Sequence, residues 1–467
     1  MVSPTSTLAR ALAGLTIALL LSVQASAQSL LRDTEIEETL REFSDPLLVA
    51  GGLYPNSVDI YLVNDPELNA FVTRGQNIFL HTGLIMRAET PNELKGVIAH
   101  EAGHIVGGHI VRSDYGSRSA YGAMLLAAGV GLAAILAGEP GAGGMILGGA
   151  PSFGSVEVLA YSRVNESAAD QYAAKFLEQT GQSGQGLIDF FENFRAQEVM
   201  SQSRRYKYFR SHPLSADRID ALRERVAESA YTDVKDSEAD MFRHTMMHAK
   251  LRGFLDTPQQ VFVRYPLDDV SMPARYARSV AYFRAADLSN AIREIDSLIA
   301  DEPDNPYFHE LKAQILYESG QRELALPPAR RALELKPDAP LLKIALAQSL
   351  IETGRTEPLE EAVRLLKQVN IAEPENSWAW RKLARAYQDL GEPALARYAS
   401  AEQFYALGNL EDARSFAGRA QKDLPRNTPQ WRRASDIIVV AETQLDKKRR
   451  NQRRGKPFTV TGGATPR

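Results

Sequence analysis

Residues 90–104 read TPNELKGVIAHEAGH, and this stretch decides how the first half of the chain is interpreted. Thr90 is a favoured N-cap residue, Pro91 fits the first helical position, and Glu93 is placed to close a capping box. Apolar residues then recur at helical spacing. The stretch therefore predicts a helix that starts after Thr90 and buries one face.

Two histidines on this helix indicate a metal site. His100 and His104 are four residues apart, so they share a face and can bind one zinc ion. Glu101 is rotated off that line, next to the position left open for water. The chain has eight histidines and no cysteine, which excludes disulfides, thiolate metal sites and a cysteine nucleophile. We therefore predict one zinc per chain, with Glu101 as the general base.

The third ligand can come from two places. In the metzincin pattern it would be a third histidine, but Ile110 occupies that position, and His109 on a continuous helix would point nearly opposite His100. The other route uses Glu166, with Asp170 four residues later to accept a ring N–H from a ligating histidine. An isolated pair of this kind is usually a solvated face, but the upstream histidines favour Glu166.

Composition sets the outer limits. A chain of 467 residues corresponds to two to four domains. A hydrophobic content of 44% with 24% charged residues is ordinary for a globular protein. The net charge of −4 does not indicate a nucleic-acid-binding protein.

The N-terminus has the pattern of a secretory signal. Arg10 precedes an apolar run over residues 11–23, and Ala25-Ser26-Ala27 fits a cleavage site. We predict a signal peptide over residues 1–27 and a periplasmic mature chain. The alternative is an uncleaved membrane anchor.

The second half repeats. Pro303, Pro337 and Pro374 each follow an apolar helical run, at spacings of 34 and 37 residues. This spacing resembles the tetratricopeptide repeat, a helical hairpin of about 34 residues whose stacked copies form a concave, protein-binding face. We predict about four units over residues 276–446. The alternative is a generic helical bundle.

Three further segments carry weaker signals. Residues 77–82 alternate like a strand, which we interpret as an edge strand that aligns an extended peptide beside the metal cleft. Residues 122–154 are apolar and glycine-rich; a buried helix with a loop, a lid, a membrane-contacting patch and a short span remain open. Residues 447–467 form a basic tail, predicted to be disordered, with attraction to an anionic membrane or to an acidic partner as the alternative.

Together the motifs resemble the HtpX-like and CAAX-prenyl-protease-like gluzincins. The matching pieces are His100-Glu101-x-x-His104, Glu166-x-x-x-Asp170, and Ser211-His212-Pro213 with Arg218 downstream. The resemblance implies an α+β zincin-like metallopeptidase domain over residues 28–225, a connecting helix and linker over residues 226–275, and then the all-α tetratricopeptide-repeat solenoid.

The resemblance also bears on His212. This side chain can stabilise the oxyanion, and it would then be a third catalytic residue beside Glu101 and Asp170. It can instead occupy the fourth zinc position and keep the enzyme latent. An ordinary turn histidine is the third interpretation.

The order of an exported protease domain and helical repeats resembles the periplasmic proteases of outer-membrane β-barrel assembly. This implies a zinc endopeptidase that degrades misfolded or misassembled outer-membrane proteins. The repeats would bind clients or the β-barrel assembly machinery, and nucleic acid would play no part. One alternative is a chaperone-like assembly factor with a mostly latent zinc site. Another is a structural zinc site, which would require four permanent protein ligands.

Overall fold

The computed structural model describes residues 29–73, 75–109, 163–200, 212 and 214–454. The predicted signal peptide, the segment 122–154 and the end of the basic tail lie outside these residues. The described part combines a small sheet with many helices. None of its helices has the length and apolar character of a segment that crosses a bilayer.

The sheet has four strands in the order β1-β2-β4-β3. The strands are β1 (Ser29–Leu31), β2 (Asp59–Asn64), β3 (Ala70–Thr73) and β4 (Asn77–His81). Strand β4 pairs in parallel with β2 and antiparallel with β3, so the prediction of an edge strand over residues 77–82 is wrong. Alternating hydrophobicity cannot tell a central strand from an edge strand. The edge on this side is β3.

Six helices accompany the sheet in the described residues of the first half of the chain. They are α1 (Thr34–Ala50), α2 (Thr82–Ile85), α3 (Pro91–Val106), α4 (Arg163–Gln179), α5 (Gln185–Met200) and α6 (Ala216–Ala227). Helix α3 begins as predicted, because the Thr90 hydroxyl accepts the backbone N–H of Glu93 at 3.2 Å. The capping box is not closed as predicted. The Glu93 carboxylate instead accepts the backbone N–H of Glu89 at 2.9 Å.

Twelve helices follow in the described second half. Helices α7 (Glu238–Leu255) and α8 (Pro258–Arg264) lead into five antiparallel hairpins. The hairpin helices are α9 (Met272–Arg284), α10 (Leu288–Asp301), α11 (Pro306–Glu318), α12 (Arg322–Leu335), α13 (Pro340–Ile351), α14 (Thr356–Ala372), α15 (Ser377–Asp389), α16 (Pro393–Ala406), α17 (Leu410–Asp423) and α18 (Pro429–Arg454). The first three hairpins begin 34 residues apart. The described residues thus form five hairpins, whereas the sequence predicts about four units.

The last helix is longer than the sequence suggested. Helix α18 continues through Arg454, although the predicted disordered tail began at Lys447. The added residues are Lys, Arg, Asn and Gln, of which all but Asn are good helix formers, and the first strong helix breaker is Gly455. The helical part of the chain therefore includes the first eight residues of the predicted tail.

One hydrophobic core joins the two halves of the chain. A single cluster contains Ile36 and Phe43 of α1 together with buried residues of the sheet and of helix α3. The same cluster includes Tyr276 and Phe308. Tyr276 and Phe308 belong to the first helices of the first two hairpins. The sheet-containing part and the start of the hairpin array therefore share buried surface rather than meeting at a polar linker.

A buried charge network crosses this junction. The Lys250 ammonium of α7 lies 2.7 Å from Asp33, 3.3 Å from Glu35 and 3.8 Å from Glu310. The Tyr276 hydroxyl donates to Glu35 at 2.7 Å. Burial alone would lower the pKa of Lys250, but the three carboxylates outweigh it and hold that pKa above its ordinary value. The network therefore depends on one charged lysine.

We expect Lys250→Met to destabilise the chain by about 3–5 kcal/mol, because it leaves several carboxylates buried without a cation. The measurement is the denaturant midpoint followed by circular dichroism. Lys235→Met, which makes the same change at an exposed lysine, is the control and should stay within about 0.5 kcal/mol of the parent. Equal stability of the two variants would contradict a structural role for the network.

A stripe of donors on α7 fixes the turn that leads into α3. His244, His248 and Arg252 are spaced four residues apart and hydrogen-bond to backbone carbonyls within residues 85–88. Among the described residues the Nε2 atoms of both histidines have no hydrogen-bond partner, so the contacts use Nδ1. The two rings are tilted, with centroids 4.0 Å apart. The connecting helix thus helps to set where α3 begins.

Acid should weaken this contact. Burial lowers the pKa of His244 to about 4 and that of His248 to about 3, from an ordinary value of 6.5. At a pH between these lowered pKa values and the ordinary value of 6.5, the unfolded chain binds more protons than the folded chain. The free energy of unfolding therefore falls as the pH drops from about 7 toward about 4. The double variant His244→Asn, His248→Asn keeps a donor near Nδ1 and does not titrate. Its melting temperature should depend less steeply on pH, and an unchanged slope would exclude these histidines.

Candidate metal centre

Four buried side chains from three parts of the chain converge on one point. Helix α3 supplies His100 and His104, α4 supplies Glu166, and His212 lies shortly before α6. Each is at most 1% exposed and offers one ligand atom, and these atoms all lie within 4.8 Å of one another. The structure thus brings together the three predicted ligands and His212.

The distances within this group are short. Nε2 of His100 lies 3.1 Å from Nε2 of His104 and 3.3 Å from Nδ1 of His212. The Glu166 carboxylate lies 3.1 Å from Nδ1 of His212, 3.4 Å from Nε2 of His100 and 3.5 Å from Nε2 of His104. Three imidazole nitrogens and a carboxylate therefore face a common centre.

A close helix crossing makes this convergence possible. Gly103 of α3 lies against α4, where an added Cβ would come within 2.8 Å of the Ala169 carbonyl oxygen. Any larger residue would push the two helices apart. Because His104 and Glu166 sit on either side of this crossing, the glycine fixes the distance between ligands from different helices.

The donor set fits a divalent transition metal. Nδ1 of His100 lies 2.9 Å from Asp170, which assigns the ring proton to Nδ1 and leaves the Nε2 lone pair facing His104. The Glu166 Oε1 atom is buried and accepts no hydrogen bond among the described residues. Converging lone pairs of nitrogen and oxygen repel one another unless a cation lies between them, and imidazole with carboxylate is a donor set that such metals accept.

The protonation states support the same interpretation. Burial, His100 and His212 hold the pKa of His104 well below its ordinary value, so its ring is neutral. Burial would raise the pKa of Glu166, but His212 and His100 outweigh it and hold that pKa far below the usual range. Burial would lower the pKa of His100, but Asp170 and Glu166 raise it to about 9. A proton on His100 thus takes the place of a metal charge, so metal and proton compete.

A second layer holds the ligands in place. Arg218 of α6 donates to both oxygens of Asp170, at 2.8 and 2.9 Å, and lies 3.2 Å from Glu166. Its guanidinium also stacks over the Phe191 ring, 5.5 Å from the centroid. The chain from Arg218 through Asp170 to His100 fixes the orientation of that imidazole.

Glu101 lies inside the site without a hydrogen-bond donor. Both of its carboxylate oxygens are buried and accept no hydrogen bond among the described residues, and His212 Nε2 lies 3.5 Å from one of them. Burial raises the pKa of Glu101, against the attraction of His212 and His100. A buried carboxylate with a raised pKa is suited to accepting and returning a proton.

His109 is not in the ligand group, in agreement with the prediction that it is not the third ligand. The helix is not continuous as far as His109, because α3 ends at Val106 and Gly108 adopts a left-handed φ of 64°. The chain turns back there, and Nδ1 of His109 comes within 2.9 Å of Nδ1 of His104. The Gly107-Gly108 pair was the sequence signal for this turn. His81 is buried in β4 and is not part of the ligand group.

This geometry agrees with comparisons to known proteins. Residues 31–226 match peptidase family M48. This part of the chain is similar to the M48 peptidases. The resemblance predicted from the motifs is therefore confirmed, and the family implies a metal at the four-residue group.

The chain is similar to one named protease over most of its length and to another over a shorter part. It is 25% identical over 407 residues to the Beta-barrel assembly-enhancing protease of Escherichia coli strain K12, covering 85% of this chain and 80% of that protein. Metalloprotease LoiP of the same organism is 30% identical over 180 residues, covering 37% of this chain and 64% of that protein. These matches support a metalloprotease.

One solved structure also aligns with the chain. The crystal structure of yeast Tom70 covers 78% of this chain and 82% of its own at 11% sequence identity. The TM-score of this alignment is 0.29.

We expect the conservative variant Asp170→Asn to weaken metal binding by about 10–100-fold, because the amide cannot fix the His100 proton and leaves Arg218 without its carboxylate. Competition with a metal chelator measures the affinity. Asp189→Asn, on the partly exposed face of α5, is the control and should bind metal like the parent. Identical affinities in both variants would rule out a supporting role for Asp170.

Proposed function

We propose that the chain is a gluzincin-type zinc metalloendopeptidase with a zincin-like fold over residues 28–225. The observation that carries this proposal is the buried group of His100, His104 and Glu166. Beside it lies the Glu101 carboxylate, which accepts no hydrogen bond from the described residues. Residues 226–275 would connect this domain to tetratricopeptide repeats over residues 276–446. The hairpin spacing supports the repeat assignment.

In this mechanism His100, His104 and Glu166 would hold one zinc ion. When bound, zinc would supply Lewis acidity toward the scissile carbonyl and would lower the pKa of a water molecule. Glu101 accepts the proton of the attacking water and passes it to the leaving amine. Asp170 keeps the His100 proton on Nδ1, so that Nε2 stays available as a ligand.

Two roles are proposed for His212. As a donor it can stabilise the oxyanion, and its place near Glu101 supports this role. As a fourth ligand it would close the metal site and keep the enzyme latent. Its membership of the four-atom group supports the second role. The two roles are compatible if His212 moves when substrate enters.

The clients are proposed from the relatives. The Beta-barrel assembly-enhancing protease carries its role in its name, and its match covers both halves of this chain. We therefore propose that this chain degrades unfolded or misassembled outer-membrane β-barrel proteins in the periplasm, after cleavage of the signal peptide behind Ala27. The repeats would bind clients or the assembly machinery, and peripheral membrane contact is compatible with this role. A chaperone-like role with a latent zinc site is less well supported, because Glu101 and all three ligands are present.

The decisive experiment uses Glu101→Gln. We expect it to keep its zinc and to cleave a urea-denatured outer-membrane porin at least about 100-fold more slowly than the parent, because the amide cannot accept a proton. Glu89→Gln, the same change at an exposed residue outside the site, should cleave like the parent. Equal cleavage by Glu101→Gln and the parent would show that the mechanism is wrong.

A further inference from the structure

One face of the hairpin array carries Tyr276, Tyr307 and Glu310, and we call it the inner face. It already holds a polypeptide segment, namely the start of α1. Glu35 accepts a hydrogen bond from Tyr276, and the Thr34 hydroxyl donates to Glu310 at 2.7 Å. Tyr307 donates to Glu38, also at 2.7 Å. The first helices of the first two hairpins therefore bind an acidic helix through their inner side.

The same positions recur in the fourth hairpin. Tyr276 and Glu310 are the fifth residues of α9 and α11, and the fifth residue of α15 is Arg381. Tyr307 is the second residue of α11, and the second residue of α15 is Trp378. Because stacked hairpins place equivalent residues along one surface, the face that holds α1 continues through Trp378 and Arg381.

This continuation is basic and aromatic. The Lys382 ammonium lies 5.7 Å from the centre of the Trp378 ring, and Arg381 is on the same helix. Arg385 is on this helix too, but it already pairs with Asp389 at 2.6 Å. Within the described part of the chain no carboxylate forms an ion pair with Lys382. Burial and then Arg381 lower the pKa of Lys382 to about 8. Glu352, the acid that acts on it, is paired with Arg322 at 3.2 Å.

Trp378 adds a hydrogen-bond donor that has no acceptor. Its indole Nε1 is buried and, among the residues described, meets no hydrogen-bond partner. Among the described residues, the half-buried Lys382 ammonium thus has no ion-pair partner and the Trp378 indole N–H has no acceptor. An anionic oxygen would satisfy both groups.

We propose that Trp378 and Lys382 bind an acidic segment of a partner polypeptide through its side-chain carboxylates. The proposal rests on the client-binding role of the repeats and gives that role a chemistry. A carboxylate would accept the indole N–H and neutralise the ammonium. The peptide would follow the same inner face that already holds the acidic start of α1.

The test measures peptide binding in the full chain carrying Glu101→Gln, so that cleavage cannot interfere. The probe is a short fluorescein-labelled peptide with blocked termini that contains alternating Glu and Phe. Its twin has Gln in place of every Glu. By fluorescence anisotropy we expect the acidic peptide to bind at least about tenfold more tightly, with an affinity that falls as salt is raised. Equal affinity for the two peptides overturns the proposal.

Variants locate the site. Lys382→Gln should weaken binding of the acidic peptide about tenfold, and Trp378→Phe, which keeps an aromatic ring but removes the N–H, should weaken it by a smaller factor. Lys422→Gln makes the same charge change at an exposed lysine of α17 and should bind like the parent. Unchanged binding by Lys382→Gln, with a parental circular dichroism spectrum, contradicts the proposal.

Two further outcomes are informative. In the first, phosphatidylglycerol vesicles bind in a way that depends on Lys382, and the acidic peptide binds no more tightly than its Gln twin. This result would identify a membrane surface as the partner and overturn the proposal. Cleavage of denatured porin is assayed separately in chains with an intact Glu101. Loss of peptide selectivity with normal cleavage therefore refutes only this inference, whereas absent cleavage refutes the proposed function.

Discussion

Mutual repulsion among buried ligand atoms is the constraint on which the first half of this chain depends. Nitrogen and oxygen lone pairs from α3, α4 and His212 meet within 4.8 Å of one another. Only a positive charge at their centre makes this arrangement stable. The surrounding structure serves that centre: Gly103 lets α3 and α4 cross closely, and Arg218 neutralises the second carboxylate, Asp170, at its edge.

The sequence predicted those features that follow from local spacing. His100 and His104 share a face because a helix turns every 3.6 residues, and the same rule pairs Glu166 with Asp170. The start of α3 at Thr90 and the helix ends before Pro303, Pro337 and Pro374 are equally local.

Features that depend on distant parts of the chain were not predictable in this way. Strand β4 was placed at an edge because its own residues do not reveal that β3 folds back beside it. His109 was oriented on an ideal helix, whereas the glycine pair before it ends that helix. The network around Lys250 joins residues more than 200 positions apart in the chain, and no motif marks it.

That network also has a consequence for the order in which the chain can fold. Asp33 and Glu35 emerge early in synthesis, but Lys250 and Glu310, which accompany them in the interior, are made much later. Until then the carboxylates of Asp33 and Glu35 lack the Lys250 ammonium that accompanies them in the folded interior. The apolar face of α1 likewise lacks its contacts with Tyr276 and Phe308. Contacts of such large sequence separation form slowly. Maturation of the N-terminal half is therefore tied to completion of the first two hairpins, so that a truncated or unfinished chain would lack the support that holds α1 in place beside the catalytic half.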